Sequence, residues 1–175
     1  MALFLLLAGT STLHSQAGPT ASRAGDAQVG AGYIAAKPDY VQQTYQGFAV
    51  YGDFDFRLHY GVEAEFHQIG SGNGDQTSER TYEIGGRYLR TYGPLVPYIK
   101  GMVGRGVFNY PNGIANLAYN VFAGGAGVDL KLGDHLRVRG DCEFQKWSSF
   151  PNGGLMPRLV TIGVAYHFTG KPRYK

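Results

Sequence analysis

Between Leu136 and Phe144, apolar and charged residues alternate one for one. Leu136, Val138, Gly140, Cys142 and Phe144 share one parity; Arg137, Arg139, Asp141, Glu143 and then Gln145 share the other. On a helix those charges would spread around the axis, whereas on a strand they fall on one face. The same period recurs along the chain from about Ala27. Phe48, Val50, Phe54 and Phe56 alternate with Tyr51, Asp53, Asp55 and Arg57, and Val62, Ala64 and Phe66 with Glu63, Glu65 and His67. Tyr82, Ile84, Gly86 and Tyr88 alternate with Glu83, Gly85 and Arg87, and Ile99, Gly101 and Val103 with Tyr98, Lys100 and Met102. Phe122, Gly124, Ala126, Val128 and Leu130 alternate with Ala123, Gly125, Gly127 and Asp129. Val160, Ile162, Val164, Tyr166 and Phe168 are set against Thr161, Gly163, Ala165 and His167. With a first strand around Gln28 to Ala36, whose faces stay ambiguous, the pattern predicts eight strands.

The connections alternate in length. Short links fall near His59, at Tyr92 to Pro94 and at Leu132 to Asp134; longer ones cover Lys37 to Thr44, Gly70 to Ser78, Tyr110 to Leu117 and Ser148 to Met156. The longer ones hold turn signals such as Gly72-Asn73-Gly74-Asp75 and Pro151-Asn152-Gly153-Gly154. Short turns at one end and longer loops at the other are the layout of outer-membrane barrels. The expected fold is therefore all-β: an eight-stranded, antiparallel, up-and-down transmembrane β-barrel.

Alternation alone does not say which face is the lumen. The charged face mixes Asp53, Asp55, Glu63, Glu65, Glu83, Asp129, Asp141 and Glu143 with Arg57, Arg87, Lys100, Arg137 and Arg139, a set that can neutralise itself in a confined interior. If Leu132 to Asp134 is a three-residue turn, Asp129 lies opposite Arg137, and Gly127, Gly125 and Ala123 face Arg139, Asp141 and Glu143. Large beside small is how a narrow barrel is filled. Aromatics near strand ends (Tyr45, Phe48, Tyr60, Tyr92, Tyr119, Phe122, Trp147, Tyr166 and Phe168) suit two interfacial girdles.

The first residues point the same way. Ala2 to Gly9 is a compact apolar run, followed by polar residues and a small-x-small site ending at Ala17, as in a secretory signal peptide. Residues 1–17 are read as that signal, truncated at its start because no basic region precedes the run. Residues 18–26 are read as a flexible lead-in, 27–168 as the barrel and 169–175 as a short basic tail. The 27 glycines and 13 tyrosines among 175 residues favour strands and tight turns over helices. A net charge of +3 with no basic run gives no support to nucleic-acid binding. The single cysteine, Cys142, excludes both a disulfide framework and a cysteine metal site.

The ending Val160-Thr161-Ile162-Gly163-Val164-Ala165-Tyr166-His167-Phe168 resembles the last strand of bacterial outer-membrane β-barrel proteins of the opacity-protein and outer-membrane-protein-A type. Ala123 to Leu130, a turn, then Leu136 to Arg139 and Phe144 to Trp147 resemble their sixth and seventh strands, and Val96 to Gly104 resembles their fifth. The resemblance implies residence in the bacterial outer membrane and insertion by the barrel-assembly machinery, with Phe168 as an internal signal. It also implies lumen ion pairs that stabilise the barrel and restrict passage: Asp129 with Arg137, and Arg139 with Asp141, Glu143, Glu65 and Arg87 as neighbours. Physics asks for the same, since an isolated charge in a poorly hydrated lumen costs several kcal/mol unless paired.

The expected function is a structural or narrow porin-like one, monomeric, with outer-membrane lipid and lipopolysaccharide as surroundings. Eight acidic against five basic inward residues would make any pore prefer cations. Alternatives are an adhesin acting through the longer loops or a soluble periplasmic ligand-binding barrel. An enzyme acting on lipopolysaccharide would need Ser, His and acid groups on the outer wall, and the outward parity holds neither Ser nor His. No catalytic residue, cofactor or metal ligand is assigned; His67 and His167 are read as hydrogen-bonded fillers.

Overall fold

The computed structural model describes residues 25–39, 43–56, 58–70, 77–109, 116–148 and 154–168. The signal segment, most of the lead-in, Arg57 and the basic tail lie outside the described residues. The strands are β1 (Asp26–Lys37), β2 (Tyr45–Asp55), β3 (Tyr60–Gly70), β4 (Ser78–Leu89), β5 (Leu95–Asn109), β6 (Asn116–Lys131), β7 (Leu136–Ser148) and β8 (Arg158–Phe168). Each pairs antiparallel with its sequence neighbour, and β1 pairs with β8, so the sheet closes. Closure removes every strand edge, which is what a backbone in lipid requires.

The alternation resolves into an apolar outside and a charged inside. Val50, Phe54, Val62, Ile84, Ile99, Val103, Phe144, Ile162 and Val164 are exposed on the outer wall. Asp53, Glu63, Glu65, Glu83, Arg87, Lys100, Asp129, Arg139, Asp141 and Glu143 are buried. A soluble barrel would reverse both sets. The ambiguous first strand also settles: Gln28, Ile34 and Ala36 are buried, while Val29 and Tyr33 are exposed.

Two hairpins show how the turns set register. Between β4 and β5, Tyr92 and Leu95 exchange backbone hydrogen bonds of 2.7 and 3.1 Å across Gly93-Pro94. Gly93 has φ 61°, a conformation that a side chain would strain. Between β6 and β7, Gly133 has φ 97° and Leu132 donates to the Leu136 carbonyl at 2.8 Å. The three-residue turn is thus Gly133 to His135, one residue later than Leu132 to Asp134, because the left-handed position falls on the glycine. Moving a turn by one residue moves the pairing by two. Asp129 therefore lies opposite Arg139 rather than Arg137, Gly127 opposite Asp141, Gly125 opposite Glu143, and Lys131 opposite Arg137. A slip of two keeps parity, so every charge predicted inward on these strands stays inward.

The girdle expectation is corrected at three places. Phe48, Tyr60, Tyr92, Phe122, Tyr166 and Phe168 do face outward, each about half exposed. Tyr45, Tyr119 and Trp147 instead point into the barrel, at 3%, 8% and 0% exposure. Trp147 shares parity with Glu143 and Gln145, and Tyr45 with Tyr51 and Asp53, so the alternation overrules nearness to a strand end.

Candidate functional site

The lumen has two zones. Toward the loops it is mainly apolar, with the buried carboxylate of Glu79 set between Ile69 and Phe108. Ile34, Ala36, Tyr45, Ala49, Ile69 and Leu159 form one buried cluster, and Phe108, Tyr119, Val121, Trp147 and Leu155 a second. Leu155, just before β8, continues that strand's register beside β7: the Trp147 N–H donates to its carbonyl at 2.8 Å, and its side chain is buried in the cluster. The Trp147 indole N–H donates to Gln145 Oε1 at 2.9 Å, which ties this plug to the polar zone below. A Cβ at Gly106 would stand 2.6 Å from the indole, so the glycine makes room for the ring.

From the middle toward the turns the lumen is mainly ionic, organised around three cations, with a small apolar cluster of Leu89, Val96 and Tyr98 at the turn end. Arg139 Nε lies 2.7 Å from Asp129 Oδ1, and its Nη2 lies 2.6 Å from Asp53 Oδ2. Its Nη1 lies 3.3 Å from Glu63 Oε2, and the guanidinium stacks 4.1 Å from the Tyr51 ring centroid. Arg87 Nη1 is 2.9 Å from both Asp53 Oδ2 and Glu63 Oε2, its Nη2 is 3.4 Å from Asp129, and its Nε is 3.2 Å from Asp55. Gln28 Nε2 donates to Asp53 and, at 3.0 Å, to Asp129 Oδ2. Lys100 Nζ gathers the next layer: Glu65 at 2.6 Å, Glu143 at 2.9 Å, Asp141 at 3.2 Å and Glu63 at 3.3 Å.

Glycines of β6 explain which groups meet. In register, Lys100 lies opposite Gly125 and Gly125 opposite Glu143; likewise Tyr98, Gly127 and Asp141 form a row. With no side chain on the middle strand, the outer two reach each other over it. Lys100 crosses Gly125 to Glu143, and the Tyr98 hydroxyl crosses Gly127 to donate to Asp141 Oδ2 at 2.7 Å. A Cβ on Gly127 would sit 2.4 Å from that hydroxyl oxygen.

The seven candidates from the sequence all lie in the lumen, grouped differently from the expectation. Asp129 meets Arg139 and Arg87 rather than Arg137. Asp141, Glu143 and Glu65 gather on Lys100 rather than on Arg139. Arg137 stands nearer the turns, where it shares a cavity of about 250 Å³ with Asp26, Asp55, Lys131, Leu89 and Val96. Asp53, Glu63 and Lys100 hold the network together but were absent from the candidate set, although their parity had placed them inward. Tyr51 and Tyr98 carry no charge and gave no signal beyond parity, and Gln28, on the strand whose faces were ambiguous, gave none. His67 is buried with Thr81 Oγ1 3.1 Å from its Nδ1 and Glu65 3.5 Å from its Nε2. Glu65, His67 and Glu143 bring ligand atoms within 4.8 Å of one another, but Lys100 already sits between the two carboxylates where a cation would go.

Residues 2–168 match the model of the outer membrane protein beta-barrel domain. The chain belongs to that family. It is a protein of the bacterial outer membrane; barrels of this kind carry short turns on the periplasmic side and longer loops outside. Among solved structures it is similar to Neisserial surface protein A, at 11% identity and TM-score 0.65 over 83% of this chain and 97% of that one. It is also similar to OprG from Pseudomonas aeruginosa, at 16% identity and TM-score 0.58 over 84% and 97%. A third is Ail, the attachment invasion locus protein of Yersinia pestis, at 17% identity and TM-score 0.57 over 82% and 99%. These likenesses concern the fold. No curated protein matches the chain in sequence.

Proposed function

We propose that this family member is a structural outer-membrane barrel whose lumen is closed by two barriers in series. The observation that carries the reading is Arg139, fully buried and joined to carboxylates from β2, β3 and β6, beneath a plug in which Trp147 is equally buried. An ion passing through would have to part the plug and then break pairs in a medium of low dielectric, where a bare charge costs several kcal/mol. Assembly as a monomer by the barrel-assembly machinery, with Phe168 as its aromatic signal, belongs to the same reading.

Single-channel recording in planar bilayers tests it. The wild-type barrel is expected to be silent. Trp147→Ala and Arg139→Ala each leave one barrier standing and are expected to be silent or nearly so. The double variant is expected to show small, cation-preferring steps, because carboxylates outnumber the remaining inward cations. Sustained wild-type conductance overturns closure in favour of a narrow pore. Silence in the double variant removes the idea that these two groups are the barriers.

A further inference from the structure

Among the described residues, the outward positions of the strands carry no carboxylate. Their charges are Lys37, Arg80, Arg105, Lys146 and Arg158, all exposed and all in the loop-side half of the barrel. Four stand at a matching distance from the turns: ten positions separate Ala27 from Lys37, Leu95 from Arg105, Leu136 from Lys146, and Phe168 from Arg158. At about 3.3 Å per residue and a tilt near 40°, ten positions rise about 25 Å along the axis, the height of an outer-membrane apolar band. The cations therefore sit where hydrocarbon ends and head groups begin on the outer side.

Three of them are neighbours. Lys37 lies directly opposite Arg158 in the β1–β8 register. Arg158 lies opposite Phe144 and over its ring at 5.8 Å, which puts Lys146, two residues along, on the diagonal. Like charges facing each other across strands repel unless an anion lies between them. The nearby carboxylate in sequence, Asp39, accepts the Met156 backbone N–H at 3.0 Å. Arg105, in the second group with Arg80, differs in donating to Asn120 Oδ1 at 3.1 Å.

We infer that Lys37, Lys146 and Arg158 form a site for the phosphate groups of a phosphorylated glycolipid in the outer leaflet. The inference rests on the barrel's placement in the outer membrane. Arginine grips phosphate oxygens through a bidentate fork, and the two lysines add point charges that tolerate different head-group poses. The ring of Phe144 and the outward Val160 continue the site downward as an apolar wall for the acyl chains. A leaflet lipid reaches this wall by lateral diffusion, whereas a free phosphate would meet the three cations without that wall.

The test is retention of lipid A by the refolded full chain in detergent, read by native mass spectrometry. Wild type is expected to retain bisphosphorylated lipid A, and Lys37→Gln/Lys146→Gln/Arg158→Gln to retain at least tenfold less. Lipid A stripped of its phosphates is expected to fall equally with wild type, and inorganic phosphate is expected not to displace the lipid. Arg158→Gln alone is expected to lose about threefold, which keeps the test open if the triple variant fails to fold. Equal retention by wild type and the folded variants, or of both lipids, overturns the site. Displacement by inorganic phosphate reduces it to ion binding and overturns the lipid assignment. Heat-modifiable gel mobility with outer-membrane fractionation reports insertion separately, so a failure of membrane placement is distinguishable from a failure of the site.

Discussion

The two zones of the lumen fill the same kind of space by opposite means. Near the loops, Ile34, Ile69, Leu159 and Trp147 exclude water by packing, and each contact is nearly independent of the next. Toward the turns, Asp53, Glu63, Asp129, Arg87 and Arg139 exclude it by mutual satisfaction, and each atom's position depends on several others. The apolar zone should therefore lose stability by volume removed, and the ionic zone by partners left behind.

Arg139→Ala is the sharpest way to separate them. It takes one of two guanidiniums from three buried carboxylates, leaving them only Arg87 as a shared arginine, and is expected to destabilise the barrel by roughly 3 kcal/mol in urea unfolding followed by gel mobility. Adding Asp129→Asn to Arg139→Ala should restore part of that loss; a purely additive double variant would erase the distinction between the zones. Ile34→Ala, which removes volume without leaving a charge, is expected to cost roughly 3 kcal/mol and to add to other plug substitutions. Gly127→Ala drives a methyl into the Tyr98 hydroxyl and should cost roughly 2 kcal/mol, with Tyr98→Phe failing to rescue it because the ring also collides. Gly124→Ala faces outward with nothing within 4 Å, and its unfolding midpoint is expected to stay within about 0.5 kcal/mol of wild type.

The parity of the strands was legible because side-chain direction depends only on counting. That is why Arg87, Asp129, Arg139, Asp141 and Glu143 could be put on one face before any contact was known, and their mixed charges, with the signal segment, turned that face inward. The partners were harder to read. Which group meets Arg139 depends on where the β6–β7 turn bends, and one residue in that turn shifts every pairing by two. Trp147 shows a different failure: its place near a strand end suggested an interfacial girdle, while its own parity said lumen. Lys100 was visible as an inward charge, but its reach to Glu143 needed the register that puts Gly125 between them. The plug was missed because its members come from many strands and no single segment displays it.

The partners of Arg139 have a consequence for how such a chain is assembled. Asp129 is on the adjacent strand, but Asp53 is 86 positions away in sequence, on the far side of the closed sheet. A sheet of half the strands would present Arg139 with one carboxylate and a wet, open face, where the attraction is weak. Only when the last seam between β1 and β8 zips does the interior dry and the full set of pairs come together. The network thus acts as a latch: it rewards the completed cylinder and gives little to any curved sheet that stops short of it.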